Sequence, residues 1–125
     1  MPRPLSSSLT DGELRLMNVI WDMGEATVLD IQERLEEDLA DSTIRTLLSV
    51  LESKGYVERR KEGRAHVYRA LVDRGRARET MVRQLVKRFF GSPADLVLNL
   101  LDEGELDARE LDRIRKAIEK KGRKR

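Results

Sequence analysis

The chain has 125 residues, enough for one domain or two small subdomains, and its hydrophobic fraction of 39% is compatible with a folded core. Charged residues make up 38% of it, but the net charge is only +2, so anion binding must come from local clusters of cations. It has no cysteine, which excludes disulfides and thiolate metal sites. It also has no signal-peptide-like N-terminal stretch and no apolar run of about 20 residues, so membrane insertion is not expected and a cytoplasmic protein is predicted.

Two short helices are predicted first. Thr10 and Glu13 form a T-x-x-E capping box, and the helix behind it ends before Gly24. Its apolar side chains recur at helical spacing: Leu14, Met17 and Trp21. Thr27 precedes a second, shorter helix with the same kind of spacing, at Val28, Ile31 and Leu35. The acidic residues 36–38 then form a linker.

The third predicted helix, from Ser42 to Lys54, has two different faces. One face is apolar: Ile44, Leu47, Leu48 and Leu51. The opposite face carries short hydroxyl side chains and a guanidinium: Ser42, Arg45, Thr46 and Ser49. No carboxylate interrupts this polar face before Glu52, and hydroxyls with Arg at a helix start are groups that contact bases and phosphates in a major groove. A surface helix of accidental composition is the alternative.

A basic hairpin is predicted after Gly55. Residues 56–60 and 65–71 have strand-like patterns, and residues 61–64 between them indicate a tight turn. Three helices followed by a hairpin predict a winged helix. Arg60, Lys61 and Arg64 at the tip suit contacts with phosphates, although cations on an edge strand also prevent pairing with other chains.

The remainder, from Asp73, is predicted to be helical and to form a dimer. Ser92 and Pro93 begin a helix after Gly91, and residues 96–101 of it are apolar nearly all round. About fifty residues are too few to surround such a helix, so a second copy is expected to cover it. The predicted dimerisation residues are Val82, Leu85, Val86, Phe89, Leu96, Val97, Leu98, Leu100, Leu101, Leu111, Ile114 and Ile118.

The predicted architecture is therefore mainly α. Residues 1–72 form a winged helix-turn-helix domain with a two-stranded β wing, and residues 73–125 form a helical dimerisation domain. The two-fold axis of the dimer is expected to place two winged helices on a pseudopalindromic DNA site.

The sequence resembles the BlaI/MecI/CopY penicillinase-repressor family of bacterial transcription factors. The matching stretches are LTDGEL at 9–14, VIW at 19–21, STIRTLL at 42–48, LESKGYV at 51–57, EGRAHVY at 62–68 and FFGSPA at 89–94, continuing to Leu101. The resemblance covers almost the whole chain, and the order and spacing of the pieces make it specific.

This resemblance implies a dimeric repressor that occupies DNA operators. By position, it implies DNA contacts for Ser42, Thr43, Arg45, Thr46 and Ser49, with the wing residues Lys61, Arg64 and His66 near the backbone.

The resemblance also implies a means of induction. Some members are inactivated when a membrane-bound, zinc-dependent sensor triggers cleavage at an Asn-Phe bond in the dimerisation helices. The corresponding pair here is Asn99-Leu100, which keeps the Asn and lacks the aromatic residue, so a merely structural Asn99 is the alternative. The cysteine pattern of the copper-responsive branch is missing, which excludes a copper switch through thiolates.

The alternatives to a repressor are an enzyme, an interaction module and another kind of regulator. No nucleophile with a base, carboxylate pair, phosphate-binding glycine loop or metal cluster indicates an enzyme, and neither a metal nor a cofactor is predicted. His66, the only histidine, lies in a predicted strand. Two alternatives stay open: a winged-helix interaction module that does not bind DNA, and a ligand-responsive winged-helix regulator of another family.

Overall fold

The computed structural model describes residues 9–123. Within this range it contains six helices and three strands, in the order α1 (Asp11–Met23), β1 (Glu25–Thr27), α2 (Val28–Arg34), α3 (Asp41–Lys54), β2 (Val57–Glu62), β3 (Ala65–Ala70), α4 (Arg74–Phe89), α5 (Pro93–Asp102) and α6 (Ala108–Arg123). The mainly α fold with a winged helix-turn-helix is confirmed.

The ends of the helices are set by local hydrogen bonds that the sequence predicts. The hydroxyl of Thr10 accepts the Glu13 N–H, and the Thr10 N–H donates to the Glu13 carboxylate at 3.0 Å, which confirms the capping box of α1. Gly24 ends that helix with φ +88°. Ser92 caps α5, which has Pro93 in its first turn, as predicted.

The sheet has one more strand than the predicted two-stranded wing. Its three antiparallel strands have the order β1-β3-β2, and the short strand β1 pairs along Glu25↔Arg69 to Thr27↔Val67. The predicted four-residue turn at 61–64 is also wrong, because β2 continues to Glu62 and β3 begins at Ala65. Gly63, with φ +62°, allows the chain to reverse in two residues. The β2–β3 hairpin, residues 57–70, is called the wing below.

The core of the winged helix lies between α1, α2, α3 and the sheet. Its largest fully buried side chains are Tyr56, Leu16, Met17, Ile20, Ile31, Ile44, Leu48 and Leu51. One ion pair is buried beside it: the Lys54 ammonium lies 2.6 Å from the carboxylate of Glu13, a residue that is only 4% exposed. This pair joins the start of α1 to the end of α3.

The described chain divides into two compact units, and the division falls after Gln84. The first unit contains the winged helix. The second begins at Leu85 and contains α5 and α6, and none of its residues 85–122 is buried. The apolar side chains of the second unit therefore remain accessible in a single copy of the chain.

Candidate nucleic-acid interface

The two faces of α3 are oriented as its periodicity predicts. Ile44, Leu48 and Leu51 are fully buried, and Leu47 is partly buried. The residues of α3 that are predicted to contact DNA are all exposed: Ser42, Thr43, Arg45, Thr46 and Ser49. The fold thus uses one face of α3 for its core and leaves the face with hydroxyls and a guanidinium in solvent.

The first turn of α3 contains an ion pair that the sequence interpretation missed. The helix begins at Asp41 rather than Ser42, and the Asp41 carboxylate accepts a hydrogen bond of 2.8 Å from Arg45 Nε. This hydrogen bond, with the charge of Asp41, raises the pKa of Arg45 above its ordinary value. The i, i+4 spacing of an acid and a base was the available signal. It went unused because Asp41 was placed outside the helix.

The hydroxyl groups of this face differ in their bonding. Thr46 donates to the Ser42 carbonyl oxygen at 2.9 Å, so its proton is already used within the helix. The side chains of Ser42, Thr43 and Ser49 have no hydrogen-bond partner within residues 9–123. Ala40, at the N-cap, provides no side-chain cap either, which leaves the amide groups of the first turn without one.

A cleft of about 440 Å³ lies between the start of α3, helix α2 and the turn of the wing. Its lining brings together three of the predicted contact residues, Arg45, Arg64 and His66. The other lining residues are Thr27, Val28, Leu29, Gln32, Asp41 and Ala65. The polar face of α3 and the turn of the wing therefore border one concave surface.

The strands of the wing separate its cations onto two faces. Arg59 lies opposite the buried Tyr68, and Lys61 lies opposite His66, so these cations share the face that is turned to the core and α3. Arg59 is also 3.6 Å from Glu52 of α3. Arg60 alternates with them and lies on the other face.

On that other face, carboxylates of the chain itself hold Arg60. Its two terminal nitrogens donate to the two oxygens of Glu25 at 2.7 and 2.8 Å, and one of them also lies 2.9 Å from Glu62. The Arg60 hydrogen bonds lower the pKa of Glu25, and the two carboxylates raise the pKa of Arg60. Arg69 is paired with Glu58 on the same face. Both arginines on this face of the wing are therefore neutralised by carboxylates of the chain itself.

Two cations differ from all the others in this region. Among the described residues of α3 and the wing, Lys61 and Arg64 are the cations without an ion pair. Both are exposed, and both lie at or next to the turn. They are the cations that a phosphate can approach without displacing a carboxylate.

The predicted dimerisation residues are exposed or partly buried, and none is buried in the single chain. Phe89 is 74% exposed, Ile118 66% and Leu98 54%. Val82, Leu85, Val97, Leu101, Leu111 and Ile114 are exposed to smaller degrees, and Val86, Leu96 and Leu100 are partly buried. The candidate cleavage pair lies inside α5, where Asn99 is exposed.

Residues 9–123 contain no group of three or more His, Cys, Asp or Glu side chains arranged to hold a metal ion. No helix in that range is both long enough and apolar enough to cross a membrane.

Comparisons with known proteins bear on the family and on the fold of the winged helix. The penicillinase repressor family model matches residues 9–120. The methicillin resistance regulatory protein MecI of Staphylococcus aureus (strain N315) is 28% identical over 116 residues, covering 90% of this chain and 94% of that protein. The penicillinase repressor of Bacillus licheniformis is 31% identical over 114 residues, covering 89% of each. The solution structure of the DNA-binding domain of the repressor BlaI superposes with a TM-score of 0.51 at 30% identity, covering 59% of this chain and 90% of that domain.

The fold and the comparisons together define a DNA-binding transcriptional repressor with a winged helix. The chain belongs to the penicillinase repressor family. That family is one of transcriptional repressors rather than of enzymes.

Proposed function

We propose that this chain represses transcription as a homodimer bound to a pseudopalindromic operator in double-stranded DNA. The observation that carries the proposal is the exposed polar face of α3, which borders the same cleft as Arg64 and His66 of the wing. In this arrangement α3 enters the major groove. The wing then follows the sugar-phosphate backbone, where Lys61 and Arg64 supply unpaired charge.

The contacts of α3 follow from its side chains. Ser42, Thr43 and Ser49 offer free hydroxyls, which bond to bases or phosphates alike. Arg45 carries the donors that best match a guanine. Sequence recognition is therefore assigned to the first two turns of α3, and the wing sets the position of the domain on the duplex.

The dimer is proposed from the apolar side chains that the second unit leaves accessible. Phe89, Leu98 and Ile118 are each more than half exposed. Large apolar side chains left accessible to this degree favour an interaction site. A second copy of the chain presents the same residues, so a two-fold interface can cover both sets at once. The palindromic operator follows from that symmetry.

Induction by cleavage at Asn99-Leu100, through a membrane-bound sensor metalloprotease, is proposed from the family resemblance. Asn99 is exposed, but the bond lies within α5, so this helix must open locally before a protease can bind it. Co-expression with a sensor encoded beside the gene, followed by intact-mass measurement, tests this step. If the chain is never cut, induction by cleavage is refuted, and the proposal that the chain binds DNA is unaffected.

The proposed function is tested by selecting bound duplexes from a random DNA pool. The expected result is an inverted repeat whose half-sites are about 10 base pairs apart, or a multiple of that. Binding to the selected site must then weaken steeply as salt rises, because cations of the protein displace counterions from the phosphates. Failure to enrich any sequence, together with salt-independent docking to a protein, would instead favour an interaction module. Release of DNA only with a small molecule would favour a ligand-responsive regulator.

A further inference from the structure

The Asp41–Arg45 pair stands at the point of α3 that the proposed function directs into the major groove. The two side chains are one helical turn apart and each is 55% exposed, so the pair lies on the surface. Both line the cleft between α3 and the wing turn. An exposed i, i+4 pair of this kind contributes little to stability, so its role in the fold is minor.

The ion pair uses only one hydrogen-bonding atom of each side chain. Arg45 donates through Nε alone, and its two terminal nitrogens have no partner within residues 9–123. Asp41 accepts through Oδ2, and its other oxygen is likewise unpaired in that range. The Nε bond fixes the guanidinium plane while the terminal N–H groups remain free to donate side by side.

The charge of Asp41 also argues for bases rather than phosphates. A carboxylate in the first turn is favourable for the helix dipole, but it repels a phosphate brought to the same place. It therefore weakens binding to DNA that offers it no donor, which is a means of gaining specificity by opposing wrong contacts. A carboxylate binds DNA favourably where it accepts a hydrogen bond from a base. The major-groove donors are the amino groups of cytosine and adenine, and the pairing typical of Asp is with cytosine.

We propose that Asp41 is a specificity-determining residue, and that it works as one unit with Arg45. The terminal nitrogens of Arg45 bond to O6 and N7 of a guanine, while the free oxygen of Asp41 accepts from the amino group of a cytosine in the same two-base-pair step. Asp41 also positions the Arg45 guanidinium for that contact. The inference rests on the proposed function, because it requires α3 to enter the major groove.

The test compares the full-length wild type with Asp41→Asn and Asp38→Asn on a random DNA pool and on unrelated duplex. Asp38 is an exposed residue of the loop before α3 and has no ion pair in the described structure, so its substitution changes the net charge equally. Asp41→Asn should lower the preference for G·C at one step by at least about fivefold and raise affinity for unrelated DNA. Asp38→Asn should leave the base preference unchanged.

Arg45→Lys provides a second variant, because it keeps the charge and loses the planar fork. It should relax the same step of the site as Asp41→Asn. Circular dichroism melts should show that all three variants remain folded. If Asp41→Asn keeps the wild-type base preference, or alters affinity for all sequences by one factor as Asp38→Asn does, the inference is refuted while the proposed function stands. A wild type that selects no sequence would refute the proposed function itself.

Discussion

The wing provides a quantitative test of how the protein holds DNA, because its cations are not equivalent. Arg60 forms ion pairs with Glu25 and Glu62, on the face of the sheet that does not carry Tyr68. Arg64 lies in the turn, has no ion pair in the described structure and lines the cleft beside Arg45. We expect Arg64→Ala to remove one phosphate contact and Arg60→Ala to remove none.

The size of the effect follows from counterion release. Each lost phosphate contact makes the slope of log affinity against log salt less negative by about 0.9. Between about 50 and 200 mM salt, that difference changes the ratio of wild-type to variant affinity by roughly 3.5-fold. Both variants remove one positive charge, so the long-range field of the protein changes equally. The difference between their slopes therefore measures the local contact.

Fluorescence anisotropy with the selected operator, at four or more salt concentrations, gives the two slopes. Arg64→Ala should flatten the slope, and Arg60→Ala should reproduce the wild-type slope. An Arg60→Ala slope as flat as that of Arg64→Ala would show that the bonds to Glu25 and Glu62 open on DNA. It would refute the argument that an arginine engaged by two carboxylates is withheld from phosphate.

Three further outcomes are expected. Arg45→Ala should cost about 1 to 3 kcal/mol on the selected site in the same anisotropy assay, and an equal loss on unrelated DNA would mean that Arg45 contacts phosphate alone. Leu98→Asp should abolish the dimer in sedimentation equilibrium and weaken operator binding with it, because it would place an unpaired charge in the interface. The matched variant Leu71→Asp, which alters a similarly accessible apolar residue of the first unit, should remain dimeric. Glu13→Gln should lower the free energy of unfolding by about 1 to 3 kcal/mol in urea titrations, since it leaves Lys54 without its buried carboxylate.

The last of these predictions depends on pH. Burial raises the pKa of Glu13, but the hydrogen bonds from Lys54 and Thr10 and the charge of Lys54 lower it more, to below its ordinary value of 4.5. The stabilisation by Glu13 is therefore complete above pH 4.5 and is lost as the pH falls through the lower folded pKa. The stability gap between wild type and Glu13→Gln should close in acid. Glu37→Gln, which breaks an exposed pair with Arg15, should cost less than about 1 kcal/mol at neutral pH.

The elements that the sequence predicted best are those whose cause is local. The capping box at Thr10, the stop at Gly24 and the two faces of α3 each depend on residues within a few positions of one another. Local hydrogen bonds and a period of 3.6 residues are visible in a sequence. These features, and the exposure of the α3 residues that are proposed to contact DNA, could therefore be predicted.

The features that were not predicted depend on partners far away in the sequence or on the exact residue at which a helix begins. Strand β1 is three residues long and is a strand only because it pairs with β3, about forty residues later. Arg60 was grouped with Lys61 and Arg64 by its place in the sequence, yet its main partner, Glu25, lies 35 residues earlier. The predicted helix begins at Ser42, one residue late, and so leaves Asp41 out. Charge that is counted along the chain thus does not show which cations are free.

The distribution of free charge bears on the proposed dimer. In α3 and the wing, as far as they are described, carboxylates of the chain pair every cation except Lys61 and Arg64. With so few phosphate contacts from each winged helix, one copy would hold DNA weakly. Joining two copies makes the second contact intramolecular and raises affinity for a site with two half-sites far more than for unrelated DNA. Two observations therefore favour the proposed dimer. The winged helix has few unpaired cations, and the apolar side chains of Phe89, Leu98 and Ile118 are accessible. In such a dimer, the preference for operator over unrelated DNA depends on the joining of two copies.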